Sequence, residues 1–108
     1  MTGTARRTAS PLADSQDPQA AAPLVAVVIV TYLPGDELRE CLDSIARELA
    51  TVRHEVWIID NASGEAVSTL LHDWAPSARV VRLAENVGFG AANNVAFARS
   101  RASHFLLL

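Results

Sequence analysis

Leu24 to Val30 is apolar without interruption and mostly β-branched. Such a run predicts a short strand buried on both faces, as in a parallel sheet. Tyr32-Leu33-Pro34-Gly35-Asp36 then breaks it with turn residues. From Glu37 the period changes. Leu38, Cys41, Leu42, Ile45 and Leu49 fall at i, i+3, i+4, i+7 and i+11, one apolar stripe on a helix, with Pro34 or Asp36 suited to its first turn. His54 to Ile59 predicts a second strand that runs into Asp60-Asn61-Ala62-Ser63-Gly64. Val67, Leu70, Leu71 and Trp74 recur at helical spacing until Pro76 stops the pattern. Arg79 to Leu83 predicts a third strand, Glu85 to Gly90 a glycine-rich loop, Ala91 to Arg101 a helix of small side chains, and His104 to Leu108 the opening of a fourth strand.

Strands and helices in strict alternation predict an α/β fold, a mostly parallel sheet sandwiched by helices and joined by right-handed crossovers. Ligands of such sheets sit at the carboxyl ends of the strands, where this chain places Thr31-Tyr32, Asp60-Asn61 and Glu85-Asn86. Residues 1–23 carry little apolar bulk beyond Leu12 and predict a disordered tail, leaving 24–108 as one partial domain. Arg6 and Arg7 do not start a secretion signal, because Asp14, Gln16, Asp17, Pro18 and Gln19 precede the first apolar run. That run is far shorter than the roughly 20 residues of a membrane helix.

Composition narrows the function further. The 108 residues suffice for one small domain and not for separate cofactor and substrate modules. Nine arginines and no lysine stand against twelve acidic residues, a net charge of -3, so long-range attraction to nucleic acid or an anionic membrane is not expected. Hydrophobic residues make up 50% and charged residues 19%, which reads as core rather than surface. The single cysteine, Cys41, excludes an intrachain disulfide, fits a reducing compartment, and reads as a small buried hydrophobe on the helix stripe.

Among polar residues Asp60 leads, since a carboxylate at the mouth of a buried strand can accept from a ribose hydroxyl or a base N–H. The alternative is that Asp60 and Ser63 merely satisfy turn or helix-start amides. Thr31 offers a hydroxyl at the end of the first strand, or a structural group. Gly88 and Gly90 let backbone approach a ligand at a helix start, although neither a dinucleotide fingerprint nor a P-loop is present. Asn93 and Asn94 stand alone among alanines and valine, which suggests a hydrogen-bonding task for at least one. His54, His72 and His104 lack metal-ligand spacing and read as surface or strand-edge residues. Arg79 and Arg82 read as a charged edge, with a phosphate contact as the alternative, and Trp57 and Trp74 as core aromatics. No catalytic acid, base or metal set is evident.

Val27-Val28-Ile29-Val30-Thr31-Tyr32, Leu38 to Ile45, Val56-Trp57-Ile58-Ile59-Asp60-Asn61-Ala62-Ser63 and Glu85-Asn86-Val87-Gly88-Phe89-Gly90-Ala91-Ala92-Asn93-Asn94 together resemble the start of a family 2 glycosyltransferase of the GT-A, Rossmann-like fold. The rhamnosyltransferase-like and galactofuranosyltransferase-like enzymes are the nearest in appearance. The resemblance covers Leu24 to Leu108 and implies an incomplete N-terminal half that binds a nucleotide-diphosphate sugar. It assigns Thr31, Tyr32, Asp60 and Asn61 to base and ribose, and Asn86, Gly88, Asn93 and Asn94 to the pocket wall. It further implies a parent enzyme that uses Mg2+ or Mn2+ and transfers the sugar to a glycan or lipid-linked acceptor by inversion. Such an enzyme is expected in the cytoplasm or at the inner face of the membrane. The acidic metal motif is expected beyond Leu108, so these residues alone are expected to be inactive and to leave the last strand with an open edge. Leu33 departs from the family's usual asparagine or aspartate, and Glu65 stands near its usual second-loop aspartate. Two other readings are a nucleotidyltransferase, whose basic glycine-rich loop is missing after the first strand, and a non-enzymatic α/β binding domain or inactive truncated product.

Overall fold

The computed structural model describes residues 3–6 and 22–108. Five strands form one sheet: β1 (Gly3–Arg6), β2 (Val25–Thr31), β3 (His54–Asp60), β4 (Arg79–Arg82) and β5 (His104–Leu107), in the order β1-β5-β2-β3-β4. β2 pairs in parallel with β3 and β5, and β3 pairs in parallel with β4. β1 is antiparallel to β5. The helices are α1 (Asp36–Glu48), α2 (Glu65–Trp74) and α3 (Phe89–Arg99).

Strand alternation sorts the core into two layers. Val27, Ile29 and Ile58 face Leu38 and Ile45 of α1 and Leu71 of α2. Ala26, Val28, Trp57 and Ile59 face Ala92 and Ala96 of α3 together with Ala102 and Phe105. The small side chains read from the sequence bring α3 close to the sheet, and both of its inward alanines are fully buried. The Phe97 ring closes this layer edge-on to Phe105, with centroids 4.7 Å apart.

From β2 the chain steps outward to β3 and β4, then returns past them to β5 on the other side of β2. Right-handed crossovers in opposite directions place their helices on opposite faces, which is why α1 and α2 share one face and α3 takes the other. The reversal makes the carboxyl end of β2 a switch point, where a crevice forms between diverging connections.

Several local expectations change. α3 begins at Phe89 rather than Ala91, because Gly88 at φ 83° supplies the turn that lets the helix start at once. The edge of β5 is covered by Gly3–Arg6, four residues placed in the expected tail; residues 7–21 lie outside the described residues. His104 is therefore an interior strand residue, paired with both Arg6 and Val25, and its buried Nδ1 has no partner. Cys41 and Trp74 are half-buried beside the α1/α2 layer, whereas Trp57 is core. Arg79 is a charged edge as read: it lies 3.9 Å from Glu55 Oε1, with its guanidinium 5.4 Å from the Trp57 ring centre. The Trp57 indole N–H and the Ser100 hydroxyl both donate to Glu55.

The two layers predict opposite sensitivities. Truncation at Ile58→Ala leaves a cavity and should cost about 2–5 kcal/mol. Enlargement at Ala96→Leu drives α3 off the sheet and should cost about 1–3 kcal/mol. Urea unfolding of both variants checks this, and an Ala96→Leu protein as stable as wild type would show that α3 is not held against the sheet.

Candidate functional site

The carboxyl rim is built around the end of β3. Register places Thr31 beside Asp60 and Asp60 beside Arg82, a row across β2, β3 and β4. Thr31 follows Ile29 by two residues, Asp60 follows Ile58 and Arg82 follows Val80, so all three belong to the α1/α2 face. The ladder continues one step past the strands through Asn61 N–H to Thr31 O, 2.8 Å, and Leu83 N–H to Asp60 O, 2.9 Å.

Asp60 is completely buried. Its Oδ2 accepts the Ser63 amide at 3.3 Å, which closes the turn leading to α2. Its Oδ1 has no partner. The Ser63 hydroxyl accepts the Leu33 amide at 2.7 Å and ties the loop after β2 to the loop after β3. Leu33 and Ala62 both hold left-handed backbone, φ 48° and 72°. For residues bearing a Cβ this stores roughly 1–2 kcal/mol each, so the tie restrains strained loops.

Asn61, next along, turns to the α3 side. Its Oδ1 accepts the Val87 amide at 2.9 Å and its Nδ2 donates to the Gly88 carbonyl at 3.3 Å. Within that third loop Asn86 Oδ1 accepts the Gly88 amide at 3.0 Å. Asn93, 3% exposed, donates to the Phe89 carbonyl at 3.1 Å and keeps a buried Oδ1 without a partner. Gly88 and Gly90 face open space, so a side chain at either would meet nothing within 4 Å.

Of the eight residues singled out from the sequence, Thr31, Tyr32, Asp60, Asn61, Asn86 and Gly88 lie at the carboxyl rim and Asn93 and Asn94 follow inside α3, and they divide by environment. Thr31 and Tyr32 line a cleft of about 340 Å³ with Pro34, Glu37, Cys41 and Leu108. Asp60 is not on that lining, and Asp60, Asn61 and Asn93 are buried. Asn86, Gly88 and Asn94 are exposed, and Asn86 is spent on its own loop. Sequence reasoning missed two features. Asn61 clasps a loop 26 residues away, and Arg82 stands in register with Asp60. Alternation along β4 could have placed Arg82 on the Asp60 face, whereas nothing in the sequence could have paired Asn61 with Val87.

Among the described residues no group of three or more His, Cys, Asp or Glu side chains could hold a metal ion. They do not fit the divalent cation that the resemblance implies. No helix among them is long and apolar enough to cross a membrane.

A parallel Rossmann-like sheet with its polar residues gathered at a switch point is the nucleotide-binding architecture of α/β proteins. The chain belongs to glycosyl transferase family 2, whose model matches residues 26–108. The fold is that of the GT-A enzymes. It is similar to the mannosyltransferase PcManGT from Pyrobaculum calidifontis, solved in complex with GDP-Man and Mn2+, at 26% identity and a TM-score of 0.56. The likeness covers 73% of this chain and 25% of that one, so the chain spans about a quarter of the mannosyltransferase's length. No curated protein matches the chain.

The Asn61 clasp predicts a local effect. Asn61→Ala removes the partner of the Val87 amide and one of the two donors to the Gly88 carbonyl, which keeps the Ala92 amide at 3.2 Å, and should cost about 1–3 kcal/mol. Amide exchange of Val87 should accelerate with it. Unchanged exchange in that variant would remove the clasp from the account of the loop.

Proposed function

We propose that this chain is the donor-binding half of a glycosyltransferase that takes a sugar from a nucleotide-diphosphate sugar. The observation that carries the reading is Asp60 Oδ1, a fully buried carboxylate oxygen with no donor, at the switch-point rim. Leaving such an atom unsatisfied costs about 1–3 kcal/mol, and a ligand N–H or O–H relieves that cost. Family membership and the GDP-Man held by the similar mannosyltransferase support a nucleotide sugar as that ligand.

In this reading Thr31 and the exposed Tyr32 flank the base and ribose, and Asp60 accepts from them once the turn at Asn61–Gly64 shifts to admit the ligand. The diphosphate lies toward the start of α3, whose first turn carries no acidic residue. The Gly88 amide is held by Asn86, and the open space at Gly88 and Gly90 lets an anion approach the first-turn amides of α3 that follow it. Asn93 and Asn94 complete the wall. The parent enzyme inverts the sugar's configuration and acts on a glycan or lipid-linked acceptor, in the manner of rhamnosyl- or galactofuranosyltransferases. It works in the cytoplasm, peripherally at the inner membrane face. The Mn2+ of the similar mannosyltransferase supports use of Mg2+ or Mn2+ by the parent, and none of the described residues is assigned to it. The 108 residues alone carry donor binding without transfer.

Isothermal titration with UDP and GDP tests the reading. At least one should bind wild type, and Asp60→Asn should weaken it about tenfold or more, the worth of a hydrogen bond to a charged acceptor. Failure of both nucleotides to bind wild type would refute the donor pocket. Equal affinity in Asp60→Asn would remove Asp60 from it.

A further inference from the structure

The parallel part of the sheet ends in β4 on one side and β5 on the other. An edge strand presents a row of main-chain groups with which another strand can pair, unless charges or a covering segment prevent it. β4 is blunted by charge, since Arg79 and Arg82 are both exposed on its four residues. β5, His-Phe-Leu-Leu, has no Asp, Glu, Lys or Arg, and its outer side is covered instead by Gly3–Arg6. That cover, Gly-Thr-Ala-Arg, contains no large apolar residue. Leu106 and Leu107 are half-buried, the first packed in the α1/α2 layer and the second in the α3 layer.

The main-chain groups under the cover follow from the inward bonds. The His104 amide donates to Leu24 O at 3.0 Å and the Leu108 amide to Val28 O at 3.1 Å. Backbone groups alternate in direction along a strand, so those of Phe105 and Leu107 face outward, opposite Ala5 and Gly3. We propose that the outer edge of β5 is a pairing surface for a second copy of this chain, and that Gly3–Arg6 keeps it closed in the monomer. The edge is self-complementary. A two-fold axis at Leu106, normal to the sheet, sets Phe105 of each copy opposite Leu107 of the other in an antiparallel ladder. Residues opposite each other then share a face, and the outward amides and carbonyls of both copies all find partners. No charge meets another, and Leu106 lies against its own copy across the axis. The same operation at β4 would gather the arginines of both copies into one ladder, which is why β5 is the surface chosen. With one such edge per chain, the assembly closes at two copies. The surface is independent of the donor pocket at the rim.

Size-exclusion chromatography with light scattering, on the full chain and on a chain lacking residues 2–6, tests the pairing. The full chain should run as a monomer and the shortened chain at twice the mass of one copy. Leu106→Cys in a Cys41→Ala background reads the register, because a non-hydrogen-bonded antiparallel pair holds its Cα atoms about 4.5 Å apart, within reach of a disulfide. On oxidation the shortened chain should cross-link between copies and the full-length chain should not. A full-length chain that is already dimeric or cross-links through residue 106 overturns the proposal, as does a shortened chain that stays monomeric. A shortened chain that unfolds by circular dichroism, or aggregates without the cross-link, overturns it too. In that case β1 is needed to build the sheet rather than to cover a finished edge.

Discussion

Two adjacent buried polar side chains at the end of β3 hold the rim in its shape. Because successive residues of a strand point to opposite faces, Asp60 serves the α1/α2 side and Asn61 the α3 side. Neither can be buried without partners except at a cost of a few kcal/mol, so each draws a loop onto itself. Asp60 gathers the Ser63 turn, Ser63 gathers Leu33, and Asn61 gathers Val87 and Gly88. Three connections widely separated in sequence are thereby stitched to one strand end. The stitching still leaves Asp60 Oδ1 without a donor.

Chain reversal at β2 supplies the space in which this happens. Had the third crossover continued outward past β4, its helix would have joined α1 and α2, and no crevice would open at β2. Returning across the sheet, α3 must lie on the opposite face over β2 and β3, and alanines at its inward positions let it do so. Small side chains on that helix are therefore a requirement of the topology as much as of any ligand.

The strand and helix order, the parallel sheet and the location of the rim were legible because they follow from local periodicity and from rules of connection. Less legible was anything set by partners far apart in sequence. The periodic pattern placed the start of α3 at Ala91, since Phe89 and Gly90 do not belong to its alanine face; the backbone of Gly88 decides the matter instead. Gly3–Arg6 pairs with β5, and its sequence Gly-Thr-Ala-Arg carries no hydrophobic signature. Asn86 and Asn61 look equivalent in the sequence, and only the fold shows that one is exposed and closes its own loop while the other is buried and closes a distant one.

Electrostatics of the helices links the fold to the ligand it suits. In a parallel α/β sheet the helices run against the strands, so their N-termini all point to the carboxyl rim. Acidic residues favour helix N-termini and arginines favour C-termini. Asp36 and Glu37 on α1, Glu65 on α2, and Arg47 and Arg99 in the last turns of α1 and α3 obey that preference. The by-product is a negative rim facing a more basic opposite end, a poor setting for a diphosphate. α3 is the exception, since its first turn has no acid, and among the described helices its start is the one at the rim whose dipole meets no acidic side chain of its own first turn. An anionic group is therefore better tolerated at the start of α3 than at the starts of α1 and α2.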